Sequence, residues 1–346
     1  MGLRRICVFG AGAIGGHLAA KFAAAGHDVS VVARGANLAA IRANGVALRE
    51  GARADARTIA GRVRASDRPA DLGAQDLVFV TTKATALDAF ASMAAPLINP
   101  DRETSTAFVF VQNGIPWWYA QGLSNARPPP PDLSRLDRGG ALARAIAPER
   151  VIGAVVYSSN AVAEPGVVLN HTEASNMLVV GETDDRPTPR IAQLRALLEA
   201  AGMPSPVASD IRQSVWDKLL LNFGSSLCVP LGEPLSVLMN DPALRAVRAR
   251  LLAEGAAIAR AHGVSLEGAP RRPGGTGTAG AQSSSASAHK PSLLQDYELG
   301  RPMEVDAILA LPCAFARAAG VAAPTLEAVH ALSACLAARK GLYSPP

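Results

Sequence analysis

Three glycines near the beginning of the sequence constrain the fold more than any other feature. Gly10 and Gly12 lie between the apolar run 6–9 and a helical pattern over 14–25, and Gly15 stands at the start of that pattern. Between a strand and a helix, the first glycine permits a tight turn, the second lets the backbone approach a pyrophosphate, and the third lets helix and strand pack closely. Amide groups at the helix N-terminus favour phosphate, so the pattern predicts a dinucleotide-binding turn rather than a purely structural one. The predicted contacts are Gly10, Gly12, Ala13, Ile14 and Gly15.

Short apolar runs alternate with Ala-rich helical segments through the first half of the chain. Because these runs are continuously apolar, they predict strands that are covered on both faces. This pattern is typical of a mainly parallel, doubly wound α/β sheet of the Rossmann type. The predicted strands are residues 6–9, 28–33, 76–82 and 107–112, extended by 151–157 and 177–181.

From about Asp210 the strand pattern stops and helical patterns take over. A chain of 346 residues is long enough for two domains. The sequence therefore predicts a Rossmann-type domain over 1–209 and an all-α domain over 210–346. The predicted helices of the second domain are residues 211–228, 241–262, 292–299, 305–319 and 325–339.

Two segments of biased composition interrupt these patterns. Residues 121–140 contain four consecutive prolines and predict a stiff, exposed insertion. Residues 268–288 are rich in Gly and Ser and predict a mobile low-complexity loop.

Composition and charge exclude several classes of function. The 34 Lys and Arg residues exceed the 29 Asp and Glu residues, but they are scattered rather than clustered as nucleic-acid binding requires. No stretch of 18 residues is free of charges and prolines, so no membrane span is expected. No signal-peptide pattern precedes the first strand, which predicts a cytoplasmic protein. The widely spaced cysteines predict buried reduced thiols, with no metal site: Cys7, Cys228, Cys313 and Cys335.

The end of the second strand indicates which dinucleotide is bound. NAD-binding sites usually place an acidic residue there to hold the ribose 2′-hydroxyl, whereas this chain has Arg34. A guanidinium at that place favours a 2′-phosphate, so the predicted cofactor is NADP(H). A solvated arginine at a strand end is the alternative.

Polar residues also follow two later strands. Lys83 comes after strand 76–82, and Asn113 after strand 107–112. The carboxyl ends of parallel strands face the ligand crevice in open α/β sheets. Both are predicted cofactor-binding residues. Lys83 is expected to contact a phosphate or ribose, and Asn113 the nicotinamide end of the cofactor. The alternative for each is a solvated loop residue.

A polar line on an apolar helix is the candidate for the chemistry. Lys218, Asn222 and Ser226 are four residues apart within helix 211–228, among large apolar residues. Partial desolvation would lower the pKa of the lysine and make it a usable proton donor at neutral pH. The alternative is a lysine that extends along the helix edge to water.

Two further polar residues lie downstream. Ser292 follows a proline at a predicted helix start, where capping is its ordinary role, and Glu304 stands before the next helix. Glu304 is a candidate for orienting Lys218 or for accepting a hydrogen bond from a substrate hydroxyl; otherwise it is an ordinary charged residue of a first helical turn.

In order and spacing, these motifs resemble those of the ketopantoate reductase (2-dehydropantoate 2-reductase) family over nearly the whole chain. The resemblance implies a Rossmann domain followed by an α-helical domain like that of 6-phosphogluconate dehydrogenase, with the active site in the cleft between them. It implies the NADPH-dependent reduction of a small 2-oxo acid, with 2-dehydropantoate as the expected substrate in pantothenate and coenzyme A biosynthesis.

The resemblance also assigns roles to the matching positions. Lys218 corresponds to the general acid and Glu304 to the acidic residue that holds substrate and lysine. Ser292 corresponds to the residue that binds the substrate carboxylate, and Asn222 lines the same pocket. Two substrate-pocket positions depart from the family pattern: Ser226 and His289 stand where asparagine is common.

Two other functions stay open on the sequence alone. The chain could reduce an imine or a bulkier 2-oxo acid on the same scaffold. It could instead be a non-catalytic NADP(H)-sensing protein, but such a protein would not need both Lys218 and Glu304. Whether the chain forms a homodimer is also left open.

Overall fold

The computed structural model describes residues 5–51, 57–100, 106–172, 176–266 and 290–345. The chain divides into two compact units. The first unit comprises Met1–Gln112 and Gly139–Ile211, and the second comprises Asn113–Arg138 and Arg212–Pro346. Segment 113–138, which the sequence pattern assigns to the first domain, thus groups with the helical residues.

A seven-stranded sheet forms the centre of the first unit, which confirms the predicted doubly wound α/β fold. Its strand order is β11-β8-β7-β6-β1-β2-β5, and every neighbouring pair is parallel except β11 with β8. The inner strands are buried along their length because helices cover both faces. The strands are β1 (Arg5–Phe9), β2 (Asp28–Val32), β5 (Arg64–Ser66), β6 (Leu77–Val80), β7 (Ala107–Phe110), β8 (Val151–Tyr157) and β11 (Met177–Glu182).

The helices of the first unit begin where local sequence allows. Thr188 caps α5 by accepting a hydrogen bond from the amide of Ile191, and Pro189 occupies the first turn. Helix α1 is rich in alanine and buries seven residues against the sheet. The helices are α1 (Ala13–Ala24), α2 (Gly35–Asn44), α3 (Leu87–Met93), α4 (Ala141–Ala145) and α5 (Pro189–Ala200).

A second sheet of four strands was not predicted. Its order is β4-β3-β10-β9, and it pairs β3 with β10 in parallel although about 120 residues separate them. Helix α1 packs on this sheet so closely that a Cβ atom on Gly16 would lie 2.6 Å from a methyl group of Val168. The strands are β3 (Val46–Glu50), β4 (Arg57–Gly61), β9 (Asn160–Glu164) and β10 (Val167–Asn170).

The described part of the second unit is helical, as predicted. Asp241 caps α9 by accepting from the amides of Ala243 and Leu244. Gly255 of α9 allows close packing on α6, because a Cβ atom there would lie 2.7 Å from Leu220 and Phe223. The helices are α6 (Ile211–Ser226), α7 (Cys228–Leu231), α8 (Leu235–Asn240), α9 (Pro242–Ala261), α10 (Ser292–Glu298), a π-helix (Asp306–Ala310), α11 (Leu311–Ala318) and α12 (Pro324–Arg339).

Two expectations need correction or lie outside the described residues. Three of the cysteines are buried, but Cys335 on α12 is exposed, so the prediction of a buried thiol is wrong there. The loop predicted over 268–288 lies outside the described residues. No helix in the described ranges is long and apolar enough to cross a membrane.

Candidate active site

The glycine turn of the first unit has the geometry that its sequence predicts. Gly10 has a φ of +105°, and its amide donates to the carbonyl of Val32 at 3.0 Å. A Cβ atom on Gly15 would lie 2.0 Å from the carbonyl oxygen of Gly10 and 2.5 Å from Oγ1 of Thr81. Both positions therefore require glycine, one for its backbone conformation and one for close approach.

Gly12 differs from these two glycines. No atom of the described chain lies within 4 Å of the place that a Cβ atom would occupy there. Gly12 precedes α1, and no side chain caps the amides of that helix. Open space beside an uncapped helix N-terminus fits a pyrophosphate. Together with Ala13 and Ile14 of the first turn, these residues fit a dinucleotide cofactor.

Arg34 lies at the end of β2, as the sequence places it. Its backbone precedes α2, its side chain is exposed, and no described residue forms a hydrogen bond or ion pair with it. The next residue, Gly35, has a φ of +56°. A cation at this place can bind an anionic group of a ligand without first breaking an ion pair to a described residue.

The ends of β6 and β7 carry polar groups beside the glycine turn. Thr81 donates through Oγ1 to the carbonyl of Gly10 at 2.7 Å. Gln112 donates through Nε2 to the carbonyls of Val80 and Thr82 at 2.8 and 3.0 Å, which holds the two strand ends together. Lys83 follows on the same segment and is partly buried.

Two polar atoms of these strand ends have no hydrogen-bond partner among the described residues. Oγ1 of Thr82 and Oε1 of Gln112 are both buried. Buried polar atoms without a partner are uncommon, and a ligand is one way to satisfy them. Sequence reasoning did not select Thr82 or Gln112, although both stand in the two strand-end motifs.

In the second unit, α6 carries the predicted polar line on an apolar helix. Trp216, Leu219 and Phe223 are fully buried, which fixes the rotation of the helix about its axis. Trp216 also donates through Nε1 to the hydroxyl of Tyr119 at 2.8 Å. With those faces buried, Lys218 and Asn222 remain on a partly exposed side of α6.

Asn222 and Ser292, about 70 residues apart in sequence, line one small pocket. Nδ2 of Asn222 is buried and has no hydrogen-bond partner among the described residues. Such a donor needs an acceptor, and an oxygen atom of a ligand would supply one. The pocket is lined by Asn222, Ser225, Pro291, Ser292, Leu293 and Ile308.

Ser225 lines this pocket, whereas the predicted Ser226 does not. Ser226 is 1% exposed, and its hydroxyl donates to the carbonyl of Phe223 at 2.8 Å. The reason is the helical repeat of 3.6 residues per turn. Asn222 and Ser225 lie about 60° apart around the helix axis and both line the pocket, whereas Ser226 lies about 70° from the direction midway between them. Ser226 is therefore not among the residues that line this pocket.

Ser292 is the first residue of α10 and is exposed. The preceding Pro291 occupies the cap position, and no side chain caps the helix. The hydroxyl of Ser292 is thus not used as a helix cap. His289, the other predicted pocket residue nearby, lies outside the described residues.

Glu304 is buried, with 6% of its surface exposed, and directly precedes an irregular helix. The segment predicted as one helix over 305–319 begins instead with a π-helix. The amide of Leu311 donates to the carbonyl of Asp306, five residues back. In that register the next donor would be Pro312, which has no N–H group. π-Helical turns of this kind are frequent at functional sites.

The segment after Asn113 supplies the missing donor. The amide of Ile115 donates to the carbonyl of Ala307 at 2.8 Å, and Ala307 is the residue that Pro312 would have bonded. Gly114 makes this approach possible, since its φ is +80° and a Cβ atom there would lie 2.4 Å from the same carbonyl oxygen. Within the second unit, Asn113 therefore directly precedes Gly114 and Ile115, the two residues that contact the π-helix at Ala307.

Arg212 fixes the next part of that segment and was missed by sequence reasoning. It is fully buried, and it donates through Nε to the carbonyl of Tyr119 at 2.9 Å and through Nη2 to that of Gln121 at 2.5 Å. Segment 121–140 is largely exposed, as predicted, but Arg135 pairs with Asp306 at 3.4 Å. No local sequence pattern predicts that this arginine is buried and donates to backbone carbonyls about 90 residues away.

Fold and site together define a class of protein. The first unit has a dinucleotide-binding turn, and the second has a small polar pocket that is lined in part by the helix carrying Lys218 and that contains a buried amide donor. These are the parts of a dinucleotide-dependent oxidoreductase with an accessory helical unit.

Comparisons with known proteins identify the family. Residues 6–122 match the family model for ketopantoate reductase PanE/ApbA, and residues 210–336 match the model for its C-terminal part. A 2-dehydropantoate 2-reductase from Mesorhizobium japonicum is 39% identical over 347 residues, covering 98% of this chain and 100% of that protein. The chain therefore belongs to the ketopantoate reductase family.

Solved structures agree with this assignment. A crystal structure from Ralstonia solanacearum MolK2, provisionally named a ketopantoate reductase, is 33% identical with a TM-score of 0.82, covering 99% of this chain and 100% of that one. The ternary structure of a D-mandelate dehydrogenase with NADH and anilino(oxo)acetate has a TM-score of 0.76 at 17% identity, covering 98% of this chain and 100% of that one, and shows the shared fold. The chain is an oxidoreductase that acts on CH–OH groups of a small molecule with a nicotinamide cofactor.

Proposed function

We propose that this enzyme reduces 2-dehydropantoate to pantoate with NADPH, as a step of pantothenate biosynthesis. The observation that carries the proposal is the pocket of the second unit. It combines a buried amide donor on Asn222 and the hydroxyls of Ser225 and Ser292 with the apolar side chains of Leu293 and Ile308. 2-Dehydropantoate has the matching chemistry, since it is a small branched chain with a carboxylate, a ketone and a terminal hydroxyl.

The pocket residues have complementary roles in this proposal. The hydroxyl of Ser292 holds the substrate carboxylate, and Nδ2 of Asn222 donates to a substrate oxygen. Lys218, one helical turn before Asn222, donates the proton to the alkoxide that develops at C2. Glu304 holds the lysine and the substrate in register. The reduced nicotinamide supplies the hydride, so the residues of this chain contribute orientation and charge placement.

NADPH is the proposed form of the cofactor because of Arg34. The strand end that usually carries an acidic residue in NAD sites carries this exposed guanidinium instead. An acidic side chain there would repel a 2′-phosphate, whereas a guanidinium binds it through paired hydrogen bonds.

The test of the substrate is NADPH oxidation with purified enzyme and a panel of 2-oxo acids. We expect 2-dehydropantoate to have the highest kcat/KM, above 2-oxo acids that lack the terminal hydroxyl. An inert panel would refute the substrate class. Preference for a bulkier 2-oxo acid would favour a second candidate, a paralogous reductase.

The role of Lys218 is tested by substitution. Lys218→Ala removes the proton donor, so kcat should fall by about 10²–10⁴-fold. NADPH affinity, measured by fluorescence titration, should change little. Lys218→Arg keeps the positive charge but titrates too high to donate, so it should be nearly as inactive as the alanine variant. Near-normal turnover in either variant would remove Lys218 as the general acid.

A further inference from the structure

Asn37 joins three separate segments of the first unit through one side-chain amide. Its Nδ2 donates to the carbonyl of Ala11 at 2.6 Å, and its Oδ1 accepts from the amide of Gly166 at 2.7 Å. Ala11 lies inside the glycine turn between Gly10 and Gly12, and Gly166 lies in the turn between β9 and β10. The glycine turn, α2 and the β9–β10 turn are thereby held together at one point.

One of the two residues that Asn37 binds is also held by the second sheet. The carbonyl of Gly166 accepts from the amide of Ala47 on β3 at 2.9 Å, so the β9–β10 turn is bonded on both sides. Asn37 is partly buried, and so are both of its hydrogen bonds. Hydrogen bonds shielded from water are costly to leave unmade, which makes the bridge a rigid one.

Arg34 shares the first turn of α2 with Asn37. The backbone of Arg34 is extended, with a φ of −138° and a ψ of 161°, and its carbonyl accepts from the amide of Leu38 at 3.2 Å. A shift of this helical turn would therefore move Arg34 and Asn37 together. Because Asn37 is bonded to Ala11, it sets the distance between the glycine turn and the base of the Arg34 side chain.

We infer that Asn37 is a positioning residue that determines the preference for NADP(H) over NAD(H). The inference rests on the proposed role of Arg34. A 2′-phosphorylated dinucleotide meets the glycine turn and Arg34 at the same time, so its affinity depends on their separation. A dinucleotide without the 2′-phosphate meets only the glycine turn and gains less from that separation.

The test compares Asn37→Ala with Asn44→Ala. Asn44 lies at the exposed end of the same helix, and its side chain forms no hydrogen bond with a described residue. NADPH and NADH dissociation constants are measured by fluorescence titration, and thermal unfolding reports on stability. We expect Asn37→Ala, which removes both of these hydrogen bonds, to weaken NADPH binding about tenfold and NADH binding less than threefold. Asn44→Ala should change neither.

A second variant keeps the inference testable if Asn37→Ala folds poorly. Asn37→Asp preserves the acceptor for Gly166 but places an oxygen against the carbonyl of Ala11. It should lose NADPH affinity at least as strongly as Asn37→Ala, again with a smaller effect on NADH. Equal loss of both cofactors, or no loss, would overturn the inference.

Arg34→Ala separates this inference from the function on which it rests. If Arg34→Ala selectively weakens NADPH binding but the Asn37 variants do not, only the role of Asn37 fails. If Arg34→Ala leaves NADPH binding unchanged, the proposed cofactor preference fails and the inference fails with it.

Discussion

The glycine turn of the first unit and the pocket of the second unit are built in opposite ways. The turn uses backbone groups within six consecutive residues, and Gly10 and Gly15 act by lacking a side chain. The pocket uses side chains from three places in the chain, at residues 222–225, 291–293 and 308. A site made of local backbone groups can be recognised from a short sequence motif. A site made of distant side chains depends instead on how the helices are rotated and packed.

The largest effect expected from this contrast separates two glycines of the same motif. Gly15→Ala forces a Cβ atom against backbone atoms of Gly10 that cannot rotate away, so the free energy of unfolding should fall by about 3 kcal/mol or more. Gly12→Ala meets no protein atom and should leave urea unfolding nearly unchanged, but it should weaken NADPH binding at least about tenfold. Equal stability of the two variants would contradict the assigned roles.

The next effect concerns His17, which lies on α1 directly behind the glycine turn. Burial lowers the pKa of His17 from 6.5 to about 4, although a hydrogen bond from its Nδ1 to Asn160 at 2.9 Å acts in the opposite direction. The unfolded chain therefore takes up a proton before the folded chain does as the pH falls. The stability contributed by the neutral imidazole is present above about pH 6.5 and lost progressively down to pH 4, by at most about 3 kcal/mol.

Urea unfolding at pH 7 and pH 4.5 measures this effect. His17→Gln should flatten the dependence between the two values, because glutamine does not titrate. His171→Gln is the matched control, because it makes the same substitution at an exposed histidine. An unaltered slope in His17→Gln would show that other groups cause the acid sensitivity.

The smallest effect tests the helix rotation that distinguishes Ser225 from Ser226. Ser225→Ala removes a hydroxyl from the pocket and should raise KM for the substrate about three- to tenfold, the scale of one hydrogen bond. The hydroxyls of both serines donate to the carbonyl three residues back in α6, but that of Ser226 is buried away from the pocket. Ser226→Ala should therefore leave KM within about twofold while stability falls by about 1 kcal/mol. The reverse pattern would mean that the pocket lies on the other side of α6.

The sequence predicted the central sheet well but missed the second sheet. The inner strands are continuously buried, so their apolar runs are visible without structural information. Strand β3 alternates between buried and exposed residues, and β4 is largely exposed. The parallel partner of β3 is β10, which lies more than 100 residues away, and no local pattern encodes that distance.

The candidate site shows the same division at the level of single residues. The spacing of Lys218 and Asn222 places both on one side of α6. Each step of four residues also turns the side-chain direction by about 40°, so Ser226, a second step along, lies outside the pocket. The π-helix after Glu304 depends on Pro312 together with the distant amide of Ile115. Neither residue alone predicts the irregular helix, because Pro312 leaves the carbonyl of Ala307 without a donor and Ile115, from a distant segment, supplies that donor.

The sequence by itself determined the dinucleotide turn, because Gly10 is required by its own backbone conformation and Gly15 by its close approach to the Gly10 carbonyl five residues earlier. It also placed Arg34 at the strand end where cofactors are distinguished. Only the tertiary structure decided that Asn37 connects these two features through Ala11 and Gly166. The physical reason is that a hydrogen bond between distant segments forms only after both segments have folded. The local sequence of neither segment predicts which residue it will bond to.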